Sequence, residues 1–424
     1  MDLDEAIAYV NHYSWSKSRP GLSRTIELLE KMGNPQKKVK FIHVAGSNGK
    51  GSTCAMLESI LRTAGYKTGF YLSPYIEEFL ETFQINGRNI DEQQFCKITK
   101  KVRDIAEAME DHPSQFEIKT AIAMQCFADN KCDIVILETG MGGEFDSTNV
   151  IDAPVAAVFT NIGLEHTEFL GDTIEKISST KAGIIKSGSI VISYDNKPKA
   201  LNVLRKRAKE KECPFYAVKK SDITPISHSL DGQRFARNNI EYTIPLLGSH
   251  QLSNAAVVLR VIDALIEKGY KISQRDIAEG LGNVKWPARF EVISKKPLFI
   301  IDGGHNFQCA EALSELITEY FNDTKFTFIT GILEDKDYRN MLEAVSENAD
   351  EFLCVTPDSP RALSAEALCK TAASLGYKAA AFDNTRDAIE SALKKKRGII
   401  AFGSLYMAGE VRKYCREIFK DVLE

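Results

Sequence analysis

Short runs of β-branched and aromatic residues, almost wholly apolar rather than alternating, recur along this chain with helical patterns between them. Phe41-Ile42-His43-Val44, Phe70-Tyr71-Leu72, Ile134-Val135-Ile136-Leu137 and Val155 to Thr160 are the first four. Continuous apolar runs suit strands covered on both faces, as parallel strands are. Strands alternating with helices then imply an α/β sheet with right-handed crossovers. A second series, Leu298-Phe299-Ile300-Ile301, Phe326-Thr327-Phe328-Ile329, Phe352-Leu353-Cys354-Val355 and Ile399-Ile400-Ala401-Phe402, starts after the breaker Trp286-Pro287-Ala288-Arg289 and the basic stretch Ser294-Lys295-Lys296-Pro297. The expected fold is α/β, with a large N-terminal domain over residues 1–292 carrying a mostly parallel sheet and a smaller C-terminal α/β domain over 297–424. The segment 215–245 differs: Ser229 to Gln233 reads as a hairpin turn, and a small antiparallel addition to the first domain is expected there.

Composition narrows the function classes. Lys+Arg 54 against Asp+Glu 58 leaves a net charge of −4, too balanced for a dedicated nucleic-acid binder. No apolar run approaches the ~18 residues of a membrane span. The acidic start Met1-Asp2-Leu3-Asp4-Glu5 lacks the basic and apolar regions of a signal peptide, and nine scattered cysteines without a Cys-x-x-Cys argue for reducing surroundings. A cytoplasmic protein acting on small molecules, without nucleic acid or membrane as partner, is expected.

Gly46-Ser47-Asn48-Gly49-Lys50-Gly51-Ser52 follows a predicted strand and opens a predicted helix. There, backbone N–H groups and the helix N-terminus cradle phosphates, and Lys50 reaches the terminal ones. The strict G-x-x-x-x-G-K-[ST] pattern fails because Gly51 separates Lys50 from Ser52, and a chance glycine turn is the plain alternative. Glu138 ends a buried strand before Thr139-Gly140-Met141-Gly142-Gly143, at the edge where open α/β sheets bind ligands. It reads as a Mg²⁺ ligand or as a helix-capping carboxylate. Thr160 to His166 repeats the arrangement at the next strand. Lys181, at a predicted helix end, reads alone as a solvated lysine or a helix-end charge. Asp302-Gly303-Gly304-His305-Asn306 and Gly403-Ser404-Leu405-Tyr406 are strand ends of the second domain. Two domains that each point such groups from strand ends suggest a site in the cleft between them.

Taken together and in order, these motifs resemble the folylpolyglutamate synthase/dihydrofolate synthase family of the Mur ligase superfamily over nearly the whole chain. The resemblance rests on His43 to Ser52, Ser73-Pro74 with Ile85-Asn86-Gly87, Phe116-Glu117, Glu138 to Asn149, His166-Thr167 with Leu170-Gly171, and Lys181 to Ile184. It continues through Gly248 to Gln251 with Asn254, Trp286-Pro287 with Arg289, Asp302 to Asn306, Asp335-Lys336-Asp337, Pro360-Arg361-Ala362 and Gly403 to Tyr406. It implies a P-loop ATPase domain followed by a Rossmann-like domain, and a monomeric ligase. ATP would phosphorylate an acceptor carboxylate and the amine of L-glutamate would displace the phosphate; the acceptor would be dihydropteroate or a reduced folate.

By the same resemblance, Gly46, Asn48, Gly49, Lys50, Gly51, Ser52, Asn254, Arg289 and Asp302 match ATP-binding positions. Ser52, Ser73, Glu138 and His166 match the ligands of two Mg²⁺ sites, and Lys181 matches a carbamylated lysine. An unmodified Lys181 that binds phosphate is the alternative. His305 and Ser404 match positions near the reacting groups, so Lys50, Glu138, His166, Lys181, His305 and Ser404 form the expected catalytic set. Gly21, Leu22, Ser23, Arg24, Phe116, Glu117, Phe145, Asp146 and Ser147 match pterin-site segments. Departures stand at Tyr75, where His is frequent, at Thr82 and Glu144, where Arg is common, at Thr180 for Glu and at Phe307 for Pro. Two positive charges are thus missing near the expected acceptor site. A ligase for a non-folate carboxylate and a nucleotide-binding module that does not ligate remain the alternatives.

Overall fold

The computed structural model describes residues 1–12, 21–322 and 324–419. One sheet contains β1 (Phe41–Ala45), β2 (Thr68–Tyr71), β3 (Phe83–Ile85), β4 (Arg88–Asn89), β5 (Ile134–Glu138), β6 (Ala156–Phe159), β7 (Ile190–Tyr194) and β8 (Phe215–Val218). Their order is β4-β3-β2-β5-β1-β6-β7-β8, parallel throughout except where β3 meets β2 and β4. Alternate residues of each strand face opposite sides, and both sides are apolar, which is why the runs read as continuous. Ile42, Val44, Ile134 and Ile136 join a core with the helices Lys50–Thr63 and Ser249–Glu267. Phe41, Val135 and Leu137 join another with the helix Gln115–Asp129.

The segment expected as one antiparallel addition is divided. Phe215–Val218 pairs in parallel with β7, in the register Val191↔Phe215, after the crossover helix Pro198–Glu210. Only β9 (Thr224–Ser229), β10 (Gly232–Arg237) and β11 (Ile240–Ile244) form the small antiparallel sheet, with the expected turn at Leu230-Asp231.

A second sheet holds β12 (Glu291–Lys295), β13 (Leu298–Asp302), β14 (Phe326–Thr330), β15 (Ala349–Cys354), β16 (Ala379–Ala381) and β17 (Ile399–Phe402), in the order β12-β13-β17-β14-β15-β16. All its pairs are parallel except β12 with β13. The basic Ser294 to Pro297 stretch therefore ends β12 and turns at Lys296-Pro297 into β13 of a hairpin. The expected α/β architecture, a large mostly parallel sheet followed by a smaller α/β unit, is the one observed. Among the described residues no helix is long and apolar enough to cross a membrane.

An ion cluster joins the two sheets' surroundings along one edge. Arg412, on the helix Leu405–Ile418, holds Glu291 through Nε at 3.0 Å to both carboxylate oxygens, and it also pairs with Glu77. Arg416 reaches the same Glu77 at 2.6 Å. Glu77 lies in the loop between β2 and β3, with a side-chain exposure of 3%. That loop also carries Ser73.

Candidate functional site

The phosphate loop leaves β1 and turns into the helix Lys50–Thr63 through Gly49, whose φ of 87° favours glycine. A Cβ at Gly49 would stand 2.6 Å from Asn254 Oδ1, so Asn254 lies against the loop itself. The extra glycine has a physical cause as well: a Cβ at Gly51 would meet the Trp286 ring at 2.5 Å. Lys50 folds back, donating to Gly46 O at 3.0 Å and Ser47 O at 3.2 Å. Ser47 ties the loop to the end of β6, its N–H donating to Asn161 O at 2.7 Å and its hydroxyl oxygen accepting from Gly163 N at 3.0 Å. Ser52 is buried in the first helical turn, whose N–H groups have no intrahelical partner.

Charged groups gather at the neighbouring strand ends. Glu138 ends β5 beside Val44 of β1. Burial pushes its carboxyl up to about 7, against the pull of Lys50, Arg289 and a hydrogen bond from the Ser73 backbone. Lys181 is 1% exposed, so the reading of a solvated lysine is wrong. It donates to Glu165 at 2.7 Å and to Gly46 O at 2.9 Å. Burial raises the Glu165 carboxyl, but Lys181 and Lys50 overcome it and hold it at about 2. Burial lowers the pKa of Lys181 further than Glu165 raises it. His166 follows Glu165 in a left-handed conformation (φ 46°) and is held low by burial, with Lys336, Lys50 and Lys181 adding to the effect.

The second sheet faces the same loop. Asp302 accepts from Gly304 N at 2.7 Å and Phe290 N at 2.9 Å, which fixes the segment carrying Arg289. His305 is pushed down to about 4, by burial first and then by Lys336, Arg289 and Lys50. Asn306 caps the helix Phe307–Phe321 and donates through Nδ2 to Asn48 Oδ1 at 2.9 Å. Asn48 in turn donates to Gln308 Oε1 at 2.9 Å. These bonds bring the phosphate loop and the Asp302–Asn306 strand end to one cleft. Ser404 is 1% exposed and caps its own helix, its hydroxyl oxygen accepting from Tyr406 N at 3.2 Å.

The segments expected to meet the pterin are largely occupied with one another. Gly21 and Leu22 lead into the helix Ser23–Lys31, where Arg24 grips both oxygens of Glu117 at 3.1 and 3.0 Å. Glu117 also accepts from Ser114 N at 2.6 Å. Phe116 packs against Gly140 and Tyr71, with ring centroids 6.1 Å apart for the latter pair. Phe145 stands 54% exposed. Asp146 is buried and accepts from Met141 N at 2.7 Å, Thr148 N at 3.0 Å and Thr148 Oγ1 at 2.5 Å, while Ser147 begins a short 3₁₀ turn.

Behind this turn, His43 Nε2 meets Thr148 Oγ1 at 2.9 Å, and His43 Nδ1 is without a partner. Since the Thr148 hydroxyl donates to Asp146, the imidazole N–H sits on Nε2. Burial, with a smaller contribution from Lys186, pushes His43 down from 6.5 to about 3. Between those values only the unfolded chain binds the proton. Stability should therefore fall by about 1.4 kcal/mol for each pH unit as pH drops from about 6.5 toward 3. Urea unfolding across that range should show this contribution in the parent chain and its loss in His43→Gln; equal slopes would count against it.

Known proteins can now be set beside this geometry. The Mur ligase middle domain family matches residues 44–262, and the Mur ligase glutamate ligase domain matches 288–405. The dihydrofolate synthase/folylpolyglutamate synthase of Bacillus subtilis is 34% identical over 428 residues, covering 96% of this chain and 99% of that protein. The chain belongs to the folylpolyglutamate synthase/dihydrofolate synthase family of Mur ligases. The Lacticaseibacillus casei folylpolyglutamate synthase is 31% identical, covering 97% of this chain and 98% of its own. Among solved family members, the Mycobacterium tuberculosis folylpolyglutamate synthase complexed with ADP and AMPPCP superposes with a TM-score of 0.89 at 28% identity, covering 98% and 99% of the two chains. The Escherichia coli FolC in complex with DHPP and ADP gives 0.87 at 27% identity, covering 99% and 98%.

For this family member, sequence reasoning left several cleft residues without a role. Glu165 was legible by the same strand-end position that marked His166. Trp286 and Lys336 fell within quoted motifs, but the packing of Trp286 on Gly51 and the influence of the Lys336 charge on the two histidines did not show. Gln308, the partner of Asn48, carried no sequence signal.

Proposed function

We propose that the chain is an ATP-dependent amide ligase that joins L-glutamate to a folate-type carboxylate, dihydropteroate or a reduced folate and its glutamylated forms, through an acyl phosphate. The observation that carries this reading is the Asn48–Asn306–Gln308 junction. It seats a phosphate loop against the strand end that bears Asp302 and His305, so nucleotide and incoming amine would share one cleft. A carboxylate is a poor electrophile, and phosphorylation gives it a leaving group. The protein's task is then to align and neutralise crowded anions. Lys50 would leave the loop carbonyls for the terminal phosphates. Asn254 and Arg289 would contact the nucleotide, and Asp302 holds the Arg289 segment in place. His305, held neutral, adds no positive charge that would repel the amine.

The donor set fits Mg²⁺. Ser52 Oγ and the Glu138 carboxylate are hard oxygens beside the loop, and the raised pKa of Glu138 is that of a buried acid short of positive charge. Ser73 would support that site through its amide. Bound there, the metal would supply charge neutralisation for the phosphoryl group. His166 and Lys181 would serve a second site only if Lys181 carried a carbamate. Its lowered pKa favours the neutral amine that such a reaction needs, whereas the Glu165 pair favours the ammonium. The pterin would lie near Phe116, Phe145 and the Gly21–Arg24 turn, over the Asp146–Ser147 turn. The family resemblance adds a monomeric cytoplasmic enzyme, divided into an ATP-binding part over 1–292 and a glutamate-ligase part over 297–424.

Mass-spectrometric ligation with ATP, Mg²⁺ and L-glutamate tests the reading. A gain of one glutamyl unit on dihydropteroate, or a ladder on tetrahydrofolate, is the expected result. No gain on either acceptor, with ATP binding intact, would move the search to other carboxylates.

A further inference from the structure

Among the described residues, Lys119 is a cation without a counter-ion. It sits on the helix Gln115–Asp129, one turn beyond Phe116 and so on the same face. Its ammonium lies 5.5 Å over the ring of Phe79, which begins the 3₁₀ turn Phe79–Thr82 and packs edge-on to Tyr75. Three other buried or half-buried lysines near the cleft and its sheet are satisfied: Lys50 by two loop carbonyls, Lys181 by Glu165 and Gly46 O, Lys186 by Asn149 O and Ile151 O. Among the described residues no carboxylate or carbonyl pairs with Lys119. Burial alone pushes its pKa down to about 8, with no contribution from Lys50, Glu138 or Asp146. Its helix covers the opposite face of the sheet from the helix Lys50–Thr63, and the ammonium lies in aromatic surroundings, where an uncompensated charge is costly and an incoming anion is favoured.

The position matters because Thr82, buried at the end of the Phe79 turn, and exposed Glu144 both stand where a cation was expected. We propose that Lys119 supplies the displaced positive charge and binds a spectator carboxylate of the acceptor, the α-carboxylate of a glutamyl tail already attached. This rests on the ligase reading above. The reacting carboxylate has to sit by Lys50, so an anion bound at Lys119 is a second one. Dihydropteroate has a single carboxylate and would not use Lys119; tetrahydrofolate, with a glutamyl tail, would.

The test compares the parent enzyme with Lys119→Leu and Lys119→Arg, measuring KM and kcat for tetrahydrofolate and for dihydropteroate, KM for ATP, and thermal melting. Lys119→Leu should raise KM for tetrahydrofolate about tenfold or more, while KM for dihydropteroate and for ATP move less than twofold. Its melting temperature should hold or rise, because an unpaired charge has been removed. Lys119→Arg should restore most of the tetrahydrofolate KM. An unchanged tetrahydrofolate KM, an equal rise for both acceptors, or a loss confined to melting temperature would overturn the proposal. A parent enzyme that ligates only dihydropteroate would overturn it while leaving the ligase reading standing; one that ligates neither acceptor would remove both.

Discussion

Lys50→Ala should abolish ligation, with kcat lower by about a thousandfold or more and the fold intact. A single positioned group that stabilises charge at a transferring centre is worth on the order of 10²–10³ in rate, and phosphoryl transfer relies almost wholly on such groups. Two features of the loop argue for the upper end. Lys50 influences Glu138, Glu165, His166 and His305 together, so its loss changes the charge of the whole cleft. Among the described residues its hydrogen-bond partners are the carbonyls of Gly46 and Ser47, and Gly46 O keeps the bond from Lys181. The fold thus has little need of the Lys50 ammonium, and melting should move by no more than a surface substitution moves it. Single-turnover ligation read by mass spectrometry, beside a melting curve, separates the two effects. Turnover retained in a folded Lys50→Ala protein would rule out the mechanism.

Glu117→Leu should cost stability by about 3–5 kcal/mol, because it breaks a buried ion pair and takes from Arg24 the carboxylate that holds it through two hydrogen bonds. Arg24 and Glu117 have side-chain exposures of 9% and 3%, and their bond joins the helices Ser23–Lys31 and Gln115–Asp129. Glu117 also completes the capping box with Ser114 at the start of its own helix. Exposed Asp111, 3.4 Å from Arg24, offers only partial relief. The double variant Arg24→Leu/Glu117→Leu should recover much of the loss, since an apolar pair can replace a buried ion pair at little net cost. Urea unfolding of both single variants and the double one completes the cycle. A loss below about 1 kcal/mol for Glu117→Leu would show that the pair is well solvated.

Much of the fold could be read from the sequence because the strands that matter are covered on both faces. β1, β5, β6 and β17 appeared as unbroken apolar runs and lie within one or two residues of their expected limits. β16, three alanines at a sheet edge, and β12, which mixes polar and apolar residues, carry no such run, and both went unread. The phosphate loop and the acids at strand ends were legible because glycine turns fix them locally. The Asn48–Asn306 bond was not, since its partners lie 258 residues apart and meet only through the packing of two sheets. Ser404 shows a different limit: its strand-end position was legible, but not that its hydroxyl caps the helix Leu405–Ile418.

The buried cluster of Glu77 with Arg412 and Arg416 has a mechanical consequence. Glu77 lies four residues beyond Ser73, whose backbone orients the Glu138 carboxylate. Widening the cleft along this edge would strip Glu77 of both arginines in a place shielded from water and drag on the strand of chain that aligns Glu138. Cleft width and the aim of that carboxylate would in this way be coupled through four residues of chain. On the ligase reading, a conformation open enough to exchange substrates would also be one with the Glu138 carboxylate out of alignment, so the contact that fastens this edge would tie phosphoryl handling to closure of the cleft.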